Sequence, residues 1–299
     1  MAAATLASGC APSTADANST PAPTVVAHSK GETAIPDVPQ RIVALSSSWA
    51  DIALALGTAP VGIGTLTSIG PADGKFPWQG DFDAQAIGLS LIGAPDYEAI
   101  AATEPDLILA DFSARNADVY RRLSAIAPTI APLGATGFVD RWRDQTRTLG
   151  RILQKDAEAD ALVAGVEARI AATRDAAPQT RGATFVLATT GPESVGVVAD
   201  PEDPAVQLMS ELGLTLLPAA QALGNGKTRT TVSYEHADSL VAADLALVWN
   251  AGGRPVWSEQ QPSVVAVNGP LASALSDPSP LNIAYTLDVV SPALQAITA

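Results

Sequence analysis

Residues Asp96-Tyr97-Glu98-Ala99-Ile100-Ala101-Ala102-Thr103-Glu104-Pro105-Asp106-Leu107-Ile108-Leu109-Ala110 decide the fold class. Asp96 carries the side-chain oxygen that an N-cap position favours, so a short helix starts at Tyr97. Pro105 cannot continue a helix and biases the residue before it toward extended backbone, so the helix stops there. Asp106 then opens an unbroken apolar run. A run without polar alternation suits a strand buried on both faces, as in a parallel sheet covered by helices. The same order returns in the second half. Ser233 stands as N-cap, Tyr234 and Glu235 begin a short helix, and Asp244 opens Leu245-Ala246-Leu247. Two such units in comparable positions imply two pseudo-symmetric α/β lobes. Glu98 and Glu235 each fall in a first helical turn, where the helix dipole alone favours a carboxylate by ~0.3–1 kcal/mol.

The rest of the chain extends this pattern. Arg41-Ile42-Val43-Ala44-Leu45 reads as a buried strand feeding Ser46-Ser47-Ser48, and residues 51–56 are helical up to Gly57. Val61 to Gly64 is another strand, and Tyr120 to Ile126 a helix ending before Pro128. From Phe138 to Ala177 there is no proline, and apolar residues recur at helical spacing with a break near Lys155-Asp156. The second of these helices has about 20 residues and hence a length of about 30 Å, which suits a rigid strut between lobes. After Pro178 the pattern restarts with Ala183 to Ala188, Ala205 to Leu212, Asp244 to Trp249 and a C-terminal helix from Leu281 to Ile297. The expected architecture is α/β: two three-layer lobes joined by one long rigid helix. Its expected divisions are an N-terminal tether at 1–37, a first lobe at 38–138, the helical connection at 139–177 and a second lobe at 178–299.

Composition narrows the function. The 299 residues are 47% hydrophobic, too apolar for a disordered chain, and carry 17 basic against 31 acidic side chains. A net charge of −14 argues against a nucleic-acid partner, which needs a basic face. One cysteine and two histidines cannot build a Cys/His zinc cage, so no metal ligand is assigned. Residues 11–24 are Ala, Pro, Ser, Thr, Asn and Asp without periodicity, and read as a flexible tether. Before them, Leu6-Ala7-Ser8-Gly9-Cys10 resembles the lipobox of bacterial lipoproteins, which implies that Cys10 carries lipid and anchors the chain outside the cell membrane. The short run before Cys10 lacks a basic start, which a start codon further upstream or a trimmed sequence would explain.

Taken together, Arg41-Ile42-Val43-Ala44-Leu45, Gly93 with Tyr97-Glu98-Ala99-Ile100, and Glu104-Pro105-Asp106-Leu107-Ile108 resemble the substrate-binding proteins of iron–siderophore and vitamin B12 ABC importers. Arg122-Leu123-Ser124, Ala127-Pro128-Thr129, Val232-Ser233-Tyr234-Glu235 and Gln261-Pro262-Ser263-Val264 continue the likeness, which runs from about Gln40 to the C-terminus. The resemblance implies a monomeric receptor without cofactor that holds a ferric siderophore between its lobes. It implies delivery to a dimeric permease driven by cytoplasmic ATPases, with Glu98 and Glu235 matching the segments whose glutamates meet permease arginines.

In open α/β sheets ligands bind beyond the carboxyl ends of the strands. That rule selects Trp49, Trp78, Phe112, Arg115, Trp249, Asn250 and Arg254 as ligand-binding candidates. Arg229, beside Lys227 in Gly226-Lys227-Thr228-Arg229, is a further candidate at the cleft border. Aromatic rings pack on an organic chelate and arginine bonds its oxygens. Either of Trp49 and Trp249 fits a lobe core as well. Gly226-Lys227-Thr228 is no P-loop, because Gln221 stands where the first glycine belongs. Gly191-Pro192-Glu193-Ser194 is no nucleophile elbow, and with His236 the one histidine of the expected lobes, no enzymatic activity is expected. A haem or cobalamin receptor, or a signalling or structural protein of the same fold, are the alternatives.

Overall fold

The computed structural model describes residues 23–65, 71, 73–89, 94–110, 112–134, 140–257 and 263–297. Cys10 lies outside them. The first described element corrects the expected tether. β1 (Thr24–His28) and β2 (Gly31–Ile35) pair as an antiparallel hairpin with His28 opposite Gly31. The physical reason is alternation: Val26 and Ile35 are each 2% exposed and join the first lobe's core, while Val25 faces solvent. His28 is buried too. Its Nε2 is 2.8 Å from Thr33 Oγ1, its ring tilts on Tyr120 at 5.4 Å, and burial lowers its pKa.

The first lobe is a five-stranded parallel sheet. β3 (Ile42–Ala44), β4 (Gly62–Thr65), β5 (Gln85–Gly88), β6 (Leu107–Leu109) and β7 (Thr129–Ile130) run in the order β5-β4-β3-β6-β7. Both faces are covered, and the two-residue period of a strand sorts the side chains. Ile42, Ala44, Leu107 and Leu109 enter one core cluster; Val43, Leu45, Ile108 and Ala110 enter the other. On the first face lies α1 (Ser47–Ala55), supplying Trp49, Ile52 and Ala53; Gly57, with φ +72°, follows its end. On the second lie α2 (Tyr97–Ala102) and α3 (Ala117–Ser124), supplying Ile100, Val119 and Leu123.

Two helices then cross to the second lobe. In α4 (Trp142–Ile152), Leu149 and Ile152 belong to the first lobe's core and Trp142 to the second's. In α5 (Asp156–Ala176), Ala159 belongs to the first core and Val163, Val166 and Ile170 to the second. One helix is therefore the spine of both lobes; its 21 residues span roughly 32 Å. Gly150 brings the two helices together, since a Cβ there would stand 2.4 Å from the Ala159 Cβ.

The second lobe is built on β8 (Thr184–Thr190), β9 (Ser194–Val198), β10 (Thr215–Leu216), β11 (Arg229–Ser233), β12 (Leu245–Asn250) and β13 (Val264–Ala266). Its order is β11-β9-β8-β12-β13, with β10 also on β8. The sheet is mixed: β8, β10, β12 and β13 are parallel, while β9 and β11 are antiparallel additions. Around it lie α6 (Pro204–Glu211), α7 (Pro218–Gly224), α8 (Tyr234–Ala237), α9 (Gly269–Ser276) and α10 (Pro280–Ala296).

The two repeated units do the same work in each lobe. Asp106, ahead of β6, accepts from the amides of Gln40 and Arg41 at 2.7 and 2.9 Å, clamping the approach to β3. Asp244, ahead of β12, accepts from the amide and hydroxyl of Thr184 at 2.7 and 2.8 Å, clamping the start of β8. Each carboxylate thus ties its strand to the parallel neighbour.

Candidate functional site

A groove of about 1480 Å³ opens between the lobes. One wall is Leu133 and Gly134, just past β7, with Arg141 and the first turns of α4. The other is residues 200–203, the start of α6 and Arg229 at the head of β11; Ser276 and Pro278, between α9 and α10, also line it. Asp140 shapes the first wall by accepting the amides of Leu133 and Gly134 at 2.7 and 2.9 Å.

The arginines of the groove are engaged by carboxylates. Arg229 is 3.2 Å from Asp203, whose side chain is only 3% exposed and also caps α6 through the Ala205 amide. Arg143 stacks over the Trp142 ring at 4.5 Å and pairs with Glu167 at 2.7 Å and Glu211 at 3.0 Å. Arg147 pairs with Asp160 at 2.9 Å. Arg141 reaches across to Glu202 at 3.7 Å, with both side chains largely exposed.

Of the sequence-predicted ligand residues, Arg229 lines this groove. Trp49 does not face a cleft. It is 1% exposed within the first lobe's core, because Ser46 caps α1 and directs the next turn inward, so it is dropped from the ligand set. Trp78 is partly buried; its ring stacks on Phe76 at 4.7 Å and tilts against Tyr285 of α10 at 5.1 Å. Phe112 and Arg115 form one short 3-10 turn, and Arg115 Nη1 donates to Gly134 O at 3.0 Å, next to the groove wall. Trp249 is partly buried on β12, opposite Thr189. Asn250 Oδ1 accepts the amides of Gly252 and Gly253 at 3.0 and 3.1 Å, which occupies it in a turn. Arg254 lies 4.1 Å over the Tyr234 ring.

Glu98 and Glu235 are both exposed in first turns, on α2 and α8. The environments correspond: Arg122 stands 5.1 Å over Tyr97 and Arg254 stands 4.1 Å over Tyr234, so each glutamate adjoins a tyrosine under a guanidinium.

Sequence reasoning missed the polar seam between α1 and the turn that starts α10. Asp51, fully buried, accepts from Trp78 Nε1 at 2.9 Å, from Gln79 Nε2 at 2.6 Å and from the Ser279 hydroxyl. Asp277 accepts from the Ser47 hydroxyl at 3.0 Å and the Ser48 amide at 2.9 Å. Burial pushes the Asp51 carboxyl up to about 7 against the pull of the three donors, with the nearby Asp277 charge adding to the rise. Burial raises Asp277 as well, opposed by its bonds to Ser48 and Ser47, and Asp140 adds repulsion. The sequence held one signal: an acidic residue inside the apolar stretch Trp49 to Leu56. Its partner Ser279 is 228 residues away, out of reach of any local pattern. Among the described residues no cluster of three or more His, Cys, Asp or Glu side chains could hold a bare metal ion.

A family model described as periplasmic binding protein matches residues 42–261. The Fe(3+)-citrate-binding protein YfmC of Bacillus subtilis is 31% identical over 137 residues, 45% of this chain and 41% of that one. The ferric enterobactin-binding periplasmic protein FepB of Escherichia coli O6:H1 is 29% identical over 211 residues, 66% of this chain and 64% of that one. Among solved structures, a periplasmic solute binding protein from Mycobacterium smegmatis superposes with a TM-score of 0.74 at 26% identity, covering 92% of this chain and 99% of that one. The chain spans about half the length of the curated relatives it matches.

Proposed function

The chain belongs to the periplasmic binding protein family, and on that footing we propose that it is the extracytoplasmic receptor of an ABC importer, capturing a ferric siderophore between its lobes. The observation that carries this reading is the groove. Its volume suits an organic chelate rather than a bare ion. Its lining includes a tryptophan and arginine side chains, the kinds of surface and charge that an iron-wrapping ligand uses. YfmC and FepB are named for ferric chelates, which supports the same class of cargo here.

The remaining parts of the reading follow from the receptor role. Iron is held by the chelator, so the protein needs no metal ligands of its own. Arg229 contacts the chelate from the second lobe, and Phe112, Arg115 and Trp78 are the candidates from the first. Trp249, Asn250 and Arg254 stand at the ends of the second lobe's strands. Glu98 and Glu235, one per lobe, dock on a permease dimer. Two exposed carboxylates in matching settings suit a two-fold partner and set orientation and on-rate more than affinity. Lipid on Cys10 tethers the receptor to the outer face of the membrane, leaving the binding lobes free as a monomer.

Titration of intrinsic tryptophan fluorescence with ferric siderophores, haem and cobalamin tests the cargo. Saturable binding of a ferric siderophore is expected, and binding confined to haem or cobalamin refutes the siderophore reading. For docking, Glu98→Ala with Glu235→Ala is expected to abolish iron uptake while leaving chelate affinity intact. Normal uptake by the double variant refutes the assignment.

A further inference from the structure

We propose that the groove selects its cargo by charge, admitting neutral or cationic ferric chelates and discriminating against trianionic ones; this rests on the siderophore reading above. A ferric ion wrapped by three hydroxamates is neutral, and a pendant ammonium makes it cationic. The same ion wrapped by three catecholates carries three negative charges and calls for cations whose charge is not already matched by carboxylates.

Among the described residues, each arginine of the groove is already paired with a carboxylate. Arg143 is committed to Glu167 and Glu211, and Arg147 to Asp160. Arg229 is held by Asp203, which is 3% exposed, so turning the guanidinium toward an anionic ligand would leave a buried carboxylate uncompensated. Arg141 is the least constrained, yet it faces Glu202 across the opening. Beyond these pairs, the lining adds three carboxylates. Asp140 is bound to backbone amides, Asp200 accepts from Thr228 Oγ1 at 3.0 Å, and Asp144 has no basic partner among the described residues. The lining therefore carries more acid than base. A net charge of −14 on the whole chain adds to the field that an anion meets on approach. A chelate filling the groove displaces water and weakens the screening of these charges, which sharpens the discrimination.

The test titrates the full chain with gallium complexes of desferrioxamine B, desferrichrome and enterobactin, which are cationic, neutral and trianionic. Gallium replaces iron to avoid quenching by the metal, and calorimetry serves as the second readout. At low ionic strength the trianionic complex is expected to bind at least about tenfold more weakly than the neutral one, and the gap narrows in high salt. Asp203→Asn keeps a side-chain oxygen for the α6 cap while freeing Arg229. It is expected to shift the ratio of affinities toward the trianionic complex by about fivefold, the scale of one released ion pair. Equal or tighter binding of the trianionic complex by the unmodified chain overturns charge selection and leaves the siderophore reading standing. An unchanged ratio in Asp203→Asn overturns the role given to the Arg229–Asp203 pair. Failure of all three complexes to bind overturns both the selection and the siderophore reading.

Discussion

Asp51 makes the stability of this protein depend on pH in a direction opposite to that of a salt-bridged aspartate. Its folded-state pKa is raised by burial to about 7, from 3.8 in the open. Between those values the folded chain holds a proton that the unfolded chain has released. Stability from this group is therefore fully present below about pH 4, falls as pH rises through 7, and levels off above. A shift of about three units at 1.36 kcal/mol each corresponds to roughly 4 kcal/mol between the two plateaus. Asp277 acts in the same direction. His28 acts in the opposite one, because burial lowers its pKa and stability rises as the unfolded chain loses its proton near pH 6.5.

A variant separates these contributions. Asp51→Asn cannot titrate, but it presents one acceptor and one donor where the carboxylate meets three donors. With its oxygen toward Trp78 and Ser279, its amide faces Gln79 Nε2. Gln79 cannot turn over freely, since its Oε1 accepts the Phe76 amide at 2.8 Å. One unsatisfied buried donor costs about 1–3 kcal/mol. At pH 5 the parent's protonated carboxyl faces the same three donors with a single acceptor, so the variant is expected to lie nearer the parent there and to lose less stability than the parent between pH 5 and pH 8. Urea unfolding followed by circular dichroism at pH 5, 6, 7 and 8 measures the difference. Two profiles that run parallel across this range would show that Asp51 does not change its proton there, and the account of the seam would fall.

Two further substitutions probe the frame. Gly150→Ala sets a methyl group 2.4 Å from the Ala159 Cβ and is expected to cost about 1–3 kcal/mol by overpacking α4 against α5; an unchanged urea midpoint refutes the close approach. Trp49→Ala empties a fully buried site in the first lobe and is expected to cost about 3–5 kcal/mol; a cost under about 1 kcal/mol would instead return Trp49 to the ligand set.

The fold was legible wherever a physical cause acts locally. The runs Ile42 to Leu45 and Leu107 to Ala110 are apolar at every position because both faces of β3 and β6 are covered. The proline-free stretch gave both α4 and α5, and the break foreseen near Lys155 falls between them. Short β1 and β2 hid in a segment read as tether, although Thr24 to His28 alternates as a half-buried strand does. The antiparallel β9 and β11 are less legible, because Gly196 interrupts one and the other is exposed at alternate positions on the sheet edge. The site was less legible. The rule that ligands gather at strand ends points to loops, but loop residues such as Asn250 can be consumed by their own turns. Nothing local to Arg229 reveals that Asp203 already holds it.

The seam and the spine together fix how the lobes face each other. Apolar contact is non-directional and would tolerate a range of interlobe angles. Here the second lobe's core is a cluster of its own, and the shared apolar element is chiefly α5, with Ala159 in one core and Val163 in the other. The joint between α1 and α10 is instead made of hydrogen bonds to Asp51 and Asp277, which hold only near their proper directions. Burying carboxylates is costly, and breaking such a contact strands a buried polar group. A small rotation of the lobes would strand several at once. The groove then has a nearly set width, and a ligand entering it would meet walls already in place rather than lobes that close widely.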